Sequence, residues 1–222
     1  MPPMASDGDG IDGQRRHWRS TFEANPTMYG TQPSEPGRYA VELFRAEGVR
    51  DVAELGAGQG RDTLAFLHAG MSVTAFDYAD EGLAELRKAA AAAGVEDRLT
   101  TIVSDAREPL PLPDSSTDAV YSHMLFNMAL KIPQLERLSA EIHRVLRPAG
   151  LHVYTVRHIG DAHYRAGTEH GDNMFENVGF IVHFFDQDLV DHLAAGFRTV
   201  DQTSFEEGAL PRRLWRITQR KN

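Results

Sequence analysis

Three acidic residues and a run of glycines carry the chemistry that can be read first. Glu54 precedes Gly56, Ala57, Gly58 and Gly60, so glycines recur at alternate positions directly after a short apolar run. Glycines at that spacing let the backbone curl without Cβ clashes and let a ligand approach the main chain. The helix expected to follow would offer its unpaired N–H groups to that ligand. A dinucleotide fingerprint would need a third glycine where Arg61 stands. Glu54 would also repel a pyrophosphate, so a ligand with a cationic end suits the turn better than NAD, FAD or a nucleoside triphosphate. Asp77 follows about twenty residues beyond the first glycine, where a carboxylate can accept from both hydroxyls of a ribose. Asp105 closes the next apolar run, where an acceptor can take the exocyclic amine of a base. Together these groups describe an adenosine whose 5′ end bears a positive charge. S-adenosylmethionine (SAM), a sulfonium with an amino-acid tail, meets all three requirements.

The residues that must position this site read as alternating short apolar runs and helices. Strands are expected at Asp51–Leu55, Met71–Phe76, Leu99–Val103, Ala119–His123 and Leu151–Val156, with two more at Phe197–Phe205 and Arg213–Thr218. Helices are expected at Gln14–Asn25, Glu35–Glu47, Arg61–Ala69, Asp80–Ala93 with Asp80 as N-cap, Pro133–Leu146 and Asp188–Ala195. That alternation predicts a doubly wound α/β sheet, mostly parallel. Such sheets bind ligands beyond the carboxyl ends of their strands, where strand order reverses. Residues 1–13 (MPPMASDGDGIDG) have almost nothing to bury and read as a disordered tail. Residues 14–222 read as one domain, with a helical cover at 14–48 and a lid-like insertion at 157–186.

The segments VAELGAGQGRDT, TAFDYAD, TIVSDAREPLPLPDSSTDAVYSHMLF and LRPAGLHVYTV resemble those of class I SAM-dependent methyltransferases, across roughly residues 20–220. The LPLPDSSTDAV stretch is similar to the ubiquinone/menaquinone-biosynthesis type. The GQGRDT turn and the FEEG and RRLWRITQRK ending are similar to the tellurite-resistance type. The resemblance implies a Rossmann-like seven-stranded sheet with helices on both faces and the last strand antiparallel. It also implies that Glu54, Gly56, Ala57, Gly58 and Gly60 line the methionine end of SAM. Asp77 would hold the ribose, Tyr78 would pack on the adenine, Asp105 and Ala106 would face its amine, and Ser122 would lie beside the methyl group.

Methyl transfer from a sulfonium is an in-line displacement with a neutral leaving group, so positioning and exclusion of water can suffice. A base helps only an acceptor that carries a proton. His123, His158, His163 and Tyr164 are the candidates for that chemistry, and Tyr29, His123, Asn127 and His170 for contact with the acceptor. Four of the ten histidines (158, 163, 170 and 183) fall in the thirty residues 157–186. A polar, partly aromatic lid is the preferred reading of that segment, an exposed insertion or a metal site the alternatives. The histidine spacings match no compact ligand pair, so no metal is assigned. Trp18, Phe22 and Trp215 read as packing aromatics.

Composition narrows the rest. The chain has 222 residues, no cysteine and a formal charge of −9. A thiolate nucleophile, a disulfide framework and Cys-ligated metals are thereby excluded. The negative charge argues against nucleic acid. No apolar run is long enough for a membrane helix and no signal peptide is visible, so a soluble, cytoplasmic enzyme acting on a small molecule is expected, as a monomer or homodimer. A nicotinamide-dependent oxidoreductase and a non-catalytic SAM-binding protein are the competing readings.

Overall fold

A computed structural model describes residues 30, 32–177, 179–208 and 212–222. The expected helix at 14–25, the tail at 1–13, Trp18, Phe22 and Tyr29 lie outside these residues. The described helices are α1 (Glu35–Ala46), α2 (Arg61–His68), α3 (Asp80–Ala92), α4 (Ile132–Val145) and α5 (Gln187–Leu193). The strands are β1 (Asp51–Leu55), β2 (Ser72–Asp77), β3 (Leu99–Val103), β4 (Thr117–Ser122), β5 (Leu146–Arg157), β6 (Thr168–Gly171), β7 (Met174–Asn177), β8 (Phe180–His183), β9 (Phe197–Glu207) and β10 (Arg212–Lys221).

Seven strands form one sheet in the order β3-β2-β1-β4-β5-β10-β9. Neighbours among β1 to β5 pair in parallel, and β10 runs antiparallel to both β5 and β9. The Rossmann-like sheet with an antiparallel last strand is therefore present. Alternation along the strands splits the core in two. Val52, Leu151 and Val153 pack with Phe44, Phe66 and Leu86 on one face. Ala53, Tyr154 and Val156 pack with Leu138, Ile142 and Val190 on the other. Side chains of period two thus feed helices on both sides of the sheet.

Local chemistry sets the helix starts. Ser34 caps α1, its hydroxyl accepting from the Gly37 amide at 2.9 Å. Gly60 introduces α2 in the left-handed region at φ +82°, and a Cβ there would lie 2.2 Å from Leu86 Cδ1. Only glycine fits that junction between α2 and α3. Asp80 is not the cap of α3. The cap is Ala79, and Asp80 sits in the first turn, where it pairs with Arg87 at 3.0 Å. A carboxylate there is favourable to the helix dipole without capping it.

The segment 157–186 departs from the expected loop. It contains a three-stranded antiparallel sheet in the order β6-β7-β8. Strands this short and half exposed carry too weak an alternation to stand out from a loop in sequence. The backbone tie at Phe185 N to Arg157 O, 2.9 Å, roots the small sheet beside the end of β5. Among the described residues, no helix is long and apolar enough to cross a membrane.

Candidate active site

The ends of β1 and β2 are stapled together by the glycine turn. Gly56 and Ala57 donate to the Phe76 carbonyl at 2.8 and 3.0 Å. Asp77 then holds both strands' loops through its carboxylate, accepting from the Gly58 amide at 2.8 Å and the Ala79 amide at 2.9 Å. Burial raises the Asp77 pKa, against those amide bonds, which pull it down. Glu54 is 4% exposed and accepts from the Thr63 hydroxyl. Burial, reinforced by the charge of Asp62, pushes its carboxyl well above the usual range. A buried acid so perturbed is stabilised in its ionised form by an incoming cation.

Asp62 anchors the floor of the turn. It accepts from the Ser34 amide and hydroxyl, each at 2.7 Å, and from the Tyr121 hydroxyl at 2.9 Å. The cap of α1, the first turn of α2 and strand β4 therefore meet at one carboxylate.

A cavity of about 840 Å³ opens over this turn, within the usual range of roughly 300–1,000 Å³ for small-molecule sites. Glu54, Gly56, Ala57, Gly58, Asp77, Tyr78 and Ala106 line it, as expected from the sequence, together with His123, Asn127 and His163. Other assignments do not reach it. The Asp105 carboxylate is turned onto Arg107, whose Nε lies 2.9 and 3.0 Å from its two oxygens, and Ser104 and Ala106 form the wall instead. Gly60 is behind the turn against Leu86, and Ser122 is fully buried outside the lining. His158 stacks on Trp215 with ring centroids 4.5 Å apart. Tyr164 donates to Asn173 and packs edge-on against Phe175 and Phe184. His170 faces Glu176 at 2.8 Å on the exposed side of the small sheet. An arginine neighbour, an aromatic partner and an outer-face register position removed these residues, and none of those three is visible in spacing alone.

The far end of the cavity is built by side chains. Leu125, Met128, Phe175, Phe180, Ile181 and Phe184 give an apolar wall, half of it from the small sheet. Arg157, Glu207 and Arg212 add charges that sequence reasoning did not select. Arg157 follows the run Val153–Val156 at the end of β5, and a charge at a strand end is the signal that could have flagged it. Its guanidinium donates to Asp161, a side chain with no exposure, and its Nη2 lies 2.9 Å from His163 Nδ1. His123 is held at both nitrogens, Nδ1 by the Thr155 hydroxyl at 2.8 Å and Nε2 by Glu207 at 3.3 Å. Burial works to raise the Glu207 pKa, but the hydrogen bond and charge of His123, with Arg61 and Arg212, outweigh it and keep the carboxylate ionised. Among the described residues no group of three or more His, Asp or Glu is placed to hold a metal.

Comparison with known proteins agrees with this geometry. Residues 52–150 match the sequence family described as a methyltransferase domain. A curated relative from Mycobacteroides abscessus, described as an uncharacterized methyltransferase, is 32% identical over 168 residues, covering 68% of this chain and 61% of that protein. The chain spans about half the length of the curated relatives it matches, from 42% to 61%. Among solved structures, the Burkholderia thailandensis 1,6-didemethyltoxoflavin-N1-methyltransferase, with 1,6-didemethyltoxoflavin and S-adenosylhomocysteine bound, superposes at TM-score 0.74. It is 20% identical, with 100% of this chain and 93% of that one covered. The [4+2]-cyclase SpnF superposes at TM-score 0.68 with 17% identity over 96% of each chain.

Proposed function

We propose that this chain, which carries a methyltransferase domain on the class I SAM-dependent fold, transfers the methyl group of SAM to a small molecule. The observation that carries this reading is the single cavity in which Glu54 and Asp77 stand at one end and an apolar wall at the other. When bound, SAM supplies an electrophilic methyl group on a cationic sulfur. Glu54 would meet the positively charged methionine end, Asp77 the ribose, and Tyr78 and Ala106 the adenine. Those groups fit the cofactor in charge, because a buried carboxyl whose ionised form burial disfavours gains from a nearby cation.

The chain's own contribution is position and dryness. The apolar side chains of the small sheet exclude water from the acceptor end, which strengthens every polar contact left inside. Among the described residues, two histidines line the cavity, and both are already engaged. His123 has both nitrogens engaged. His163 sits closer to the Arg157 donor, at 2.9 Å, than to Asp161, at 3.3 Å. The guanidinium can only donate, so Nδ1 is the acceptor of that contact. An acceptor that attacks through a lone pair and sheds its proton to water afterwards suits these residues.

A nicotinamide enzyme is disfavoured by the sheet as well as by Arg61. The dinucleotide order is 3-2-1-4-5-6 and all parallel, whereas here β10 is inserted antiparallel between β5 and β9. One fold supports several chemistries, so the activity needs a direct test. Calorimetry with SAM, S-adenosylhomocysteine and NADH separates the cofactors. Labelled SAM offered with phenols, thiols, amines, halides, metalloid oxyanions and ring nitrogens then reads transfer. Binding of SAM without transfer to any acceptor would favour a non-catalytic SAM-binding protein. Binding of NADH alone would overturn the proposal.

A further inference from the structure

Three arginines line the cavity, Arg61, Arg157 and Arg212. Two of them have carboxylates. Arg157 is paired with the buried Asp161, and Arg61 lies 3.8 Å from both Asp62 and Glu207. The residue after Arg212 on β10 is satisfied as well, with Arg213 Nε 3.1 Å from Glu206. Arg212 is different. Among the described residues its guanidinium has one hydrogen-bonding partner, the Met124 thioether, 3.9 Å from Nη1. Glu207 stands opposite it in the β9–β10 register, yet that carboxylate goes to His123 at 3.3 Å and to Arg61. Arg212 helps to keep Glu207 ionised less than those two residues do. Arg212 is part-exposed and none of its nitrogens is both sealed and unpartnered, so its remaining N–H groups stay accessible.

Two backbone features place this charge. Gly208 turns the β9–β10 hairpin at φ +86°, and a Cβ there would come 3.0 Å from Arg212 Nη2 and 3.5 Å from Nε. The guanidinium therefore lies against bare main chain. Met124 holds a left-handed backbone at φ +61°, which an L side chain keeps only where its surroundings over-determine it. Its amide is tied to the Thr155 hydroxyl at 2.9 Å. A glycine and a strained methionine thus position Arg212, and no paired carboxylate does.

A guanidinium stays charged at any ordinary pH and presents its N–H groups in a planar fork. What it lacks here is an anion. The fork matches two coplanar oxygens, as in a carboxylate. A phosphate dianion would bring a second charge, and the other two arginines of the cavity are already engaged. Phe175, Phe180 and Phe184, in the same cavity, call for an apolar body on the molecule that carries the anion.

We infer that the methyl acceptor is an apolar monocarboxylate, its body against the aromatic wall and its carboxylate on Arg212. The inference rests on the methyltransferase reading above and deepens it by naming the acceptor class. Arg212 then selects the acceptor by charge. A neutral analogue of the same shape leaves the guanidinium unmet, and a cationic one is repelled.

The test titrates matched bicyclic probes by calorimetry into the full chain saturated with S-adenosylhomocysteine. 2-Naphthoate carries the anion, 2-naphthamide is its neutral counterpart, and 2-naphthylmethylammonium is the cation. The acid should bind at least about tenfold more tightly than the amide, charge-assisted hydrogen bonds being worth that or more, and the ammonium should bind most weakly. Arg212→Gln and Arg212→Met should bring the acid to the level of the amide while SAM affinity stays within about twofold. Neither variant strips a carboxylate of its ion pair, so both should fold. Arg213→Gln, one residue on and paired with Glu206, should leave the preference within about twofold of the wild type.

Equal binding of acid and amide, tighter binding of the ammonium, or binding of none of them while S-adenosylhomocysteine binds would overturn the inference. So would a preference that survives both Arg212 substitutions, or one lost equally in Arg213→Gln, which would make it a property of the hairpin's general field. A parallel loss of SAM affinity in the Arg212 variants would also overturn it, by giving the guanidinium to the cofactor's own carboxylate. Failure of the wild-type chain to bind SAM at all would instead overturn the methyltransferase reading.

Discussion

The two ends of the cavity are made by different means. The proposed cofactor end is built from backbone and strand termini. Gly58 and Ala79 amides grip Asp77, the Phe76 carbonyl receives two amides of the turn, and Asp62 ties α1, α2 and β4 together. The proposed acceptor end is built from side chains of β7, β8 and the β4–α4 connection, resting on a small sheet of three four-residue strands. The first is a feature of the fold and the second an attachment to it. A binding site for a constant ligand can be written into strand ends. A site for a particular acceptor is more easily changed when it hangs on a separate hairpin layer.

Substitutions can test whether the ends are as separable as they look. The largest effect is expected at the root of the attachment. Asp161 is fully buried and accepts from Arg157, the His163 amide and the Arg213 amide, the last two at 2.8 Å. Asp161→Ala strands the Arg157 charge and should cost about 3 kcal/mol of stability in denaturant unfolding. SAM affinity measured on the folded variant should change by less than about threefold. A loss of SAM affinity as large as that of a cofactor-end variant would show that the ends are coupled.

Asp77→Ala is the converse. It removes the grip on the glycine turn and the acceptor for a ribose, and should weaken SAM more than about tenfold by calorimetry. If SAM binds this variant as it binds the wild type, the ribose assignment is wrong.

Acidity should distinguish the ends more gently. The Glu54 pKa is raised in the free protein, so below that raised value the side chain is neutral and must lose a proton to face a cation. SAM affinity should therefore fall as pH drops from neutral toward the ordinary carboxyl range, by up to about tenfold per unit. Glu54→Gln should flatten that slope. The stability of the free protein should show the opposite sign. A carboxyl with a raised folded-state pKa contributes stability below its unfolded value and loses it as pH rises through the folded one. The smallest effect is expected at the outer face of the attachment. His170 and Glu176 form an exposed pair, and such pairs contribute about 0–1 kcal/mol. His170→Ala should leave turnover within about twofold, and a tenfold loss would return this histidine to the acceptor site.

The same contrast governs what was legible in the sequence. The doubly wound, mostly parallel sheet follows from alternating strands and helices, and the strand expected at Asp51–Leu55 has those bounds in the structure. The glycine turn is legible because its requirement is local. Gly60 stands where the backbone is left-handed and a Cβ would strike Leu86, and Glu54 and Asp77 are fixed by their places at strand ends. The direction of the Asp105 carboxylate is set by its pairing with Arg107, two residues on, and a rotamer leaves no trace in spacing.

The acceptor end was legible only as a composition. Four histidines in thirty residues suggested a polar lid, yet His163 alone of the four lines the cavity. His158 went to Trp215, His170 to solvent, and His183 to the Leu130 carbonyl. Which face of a four-residue strand turns inward is set by its register with the neighbouring strand and by the body beneath it. Sequence by itself determined that strands alternate with helices, where the glycine turn falls and which acids flank it, because those depend on residues close along the chain. Only the tertiary structure decided that Asn127, Arg157 and Glu207 meet in one cavity with Phe175 and Phe184, because they come from five segments whose encounter no local spacing encodes.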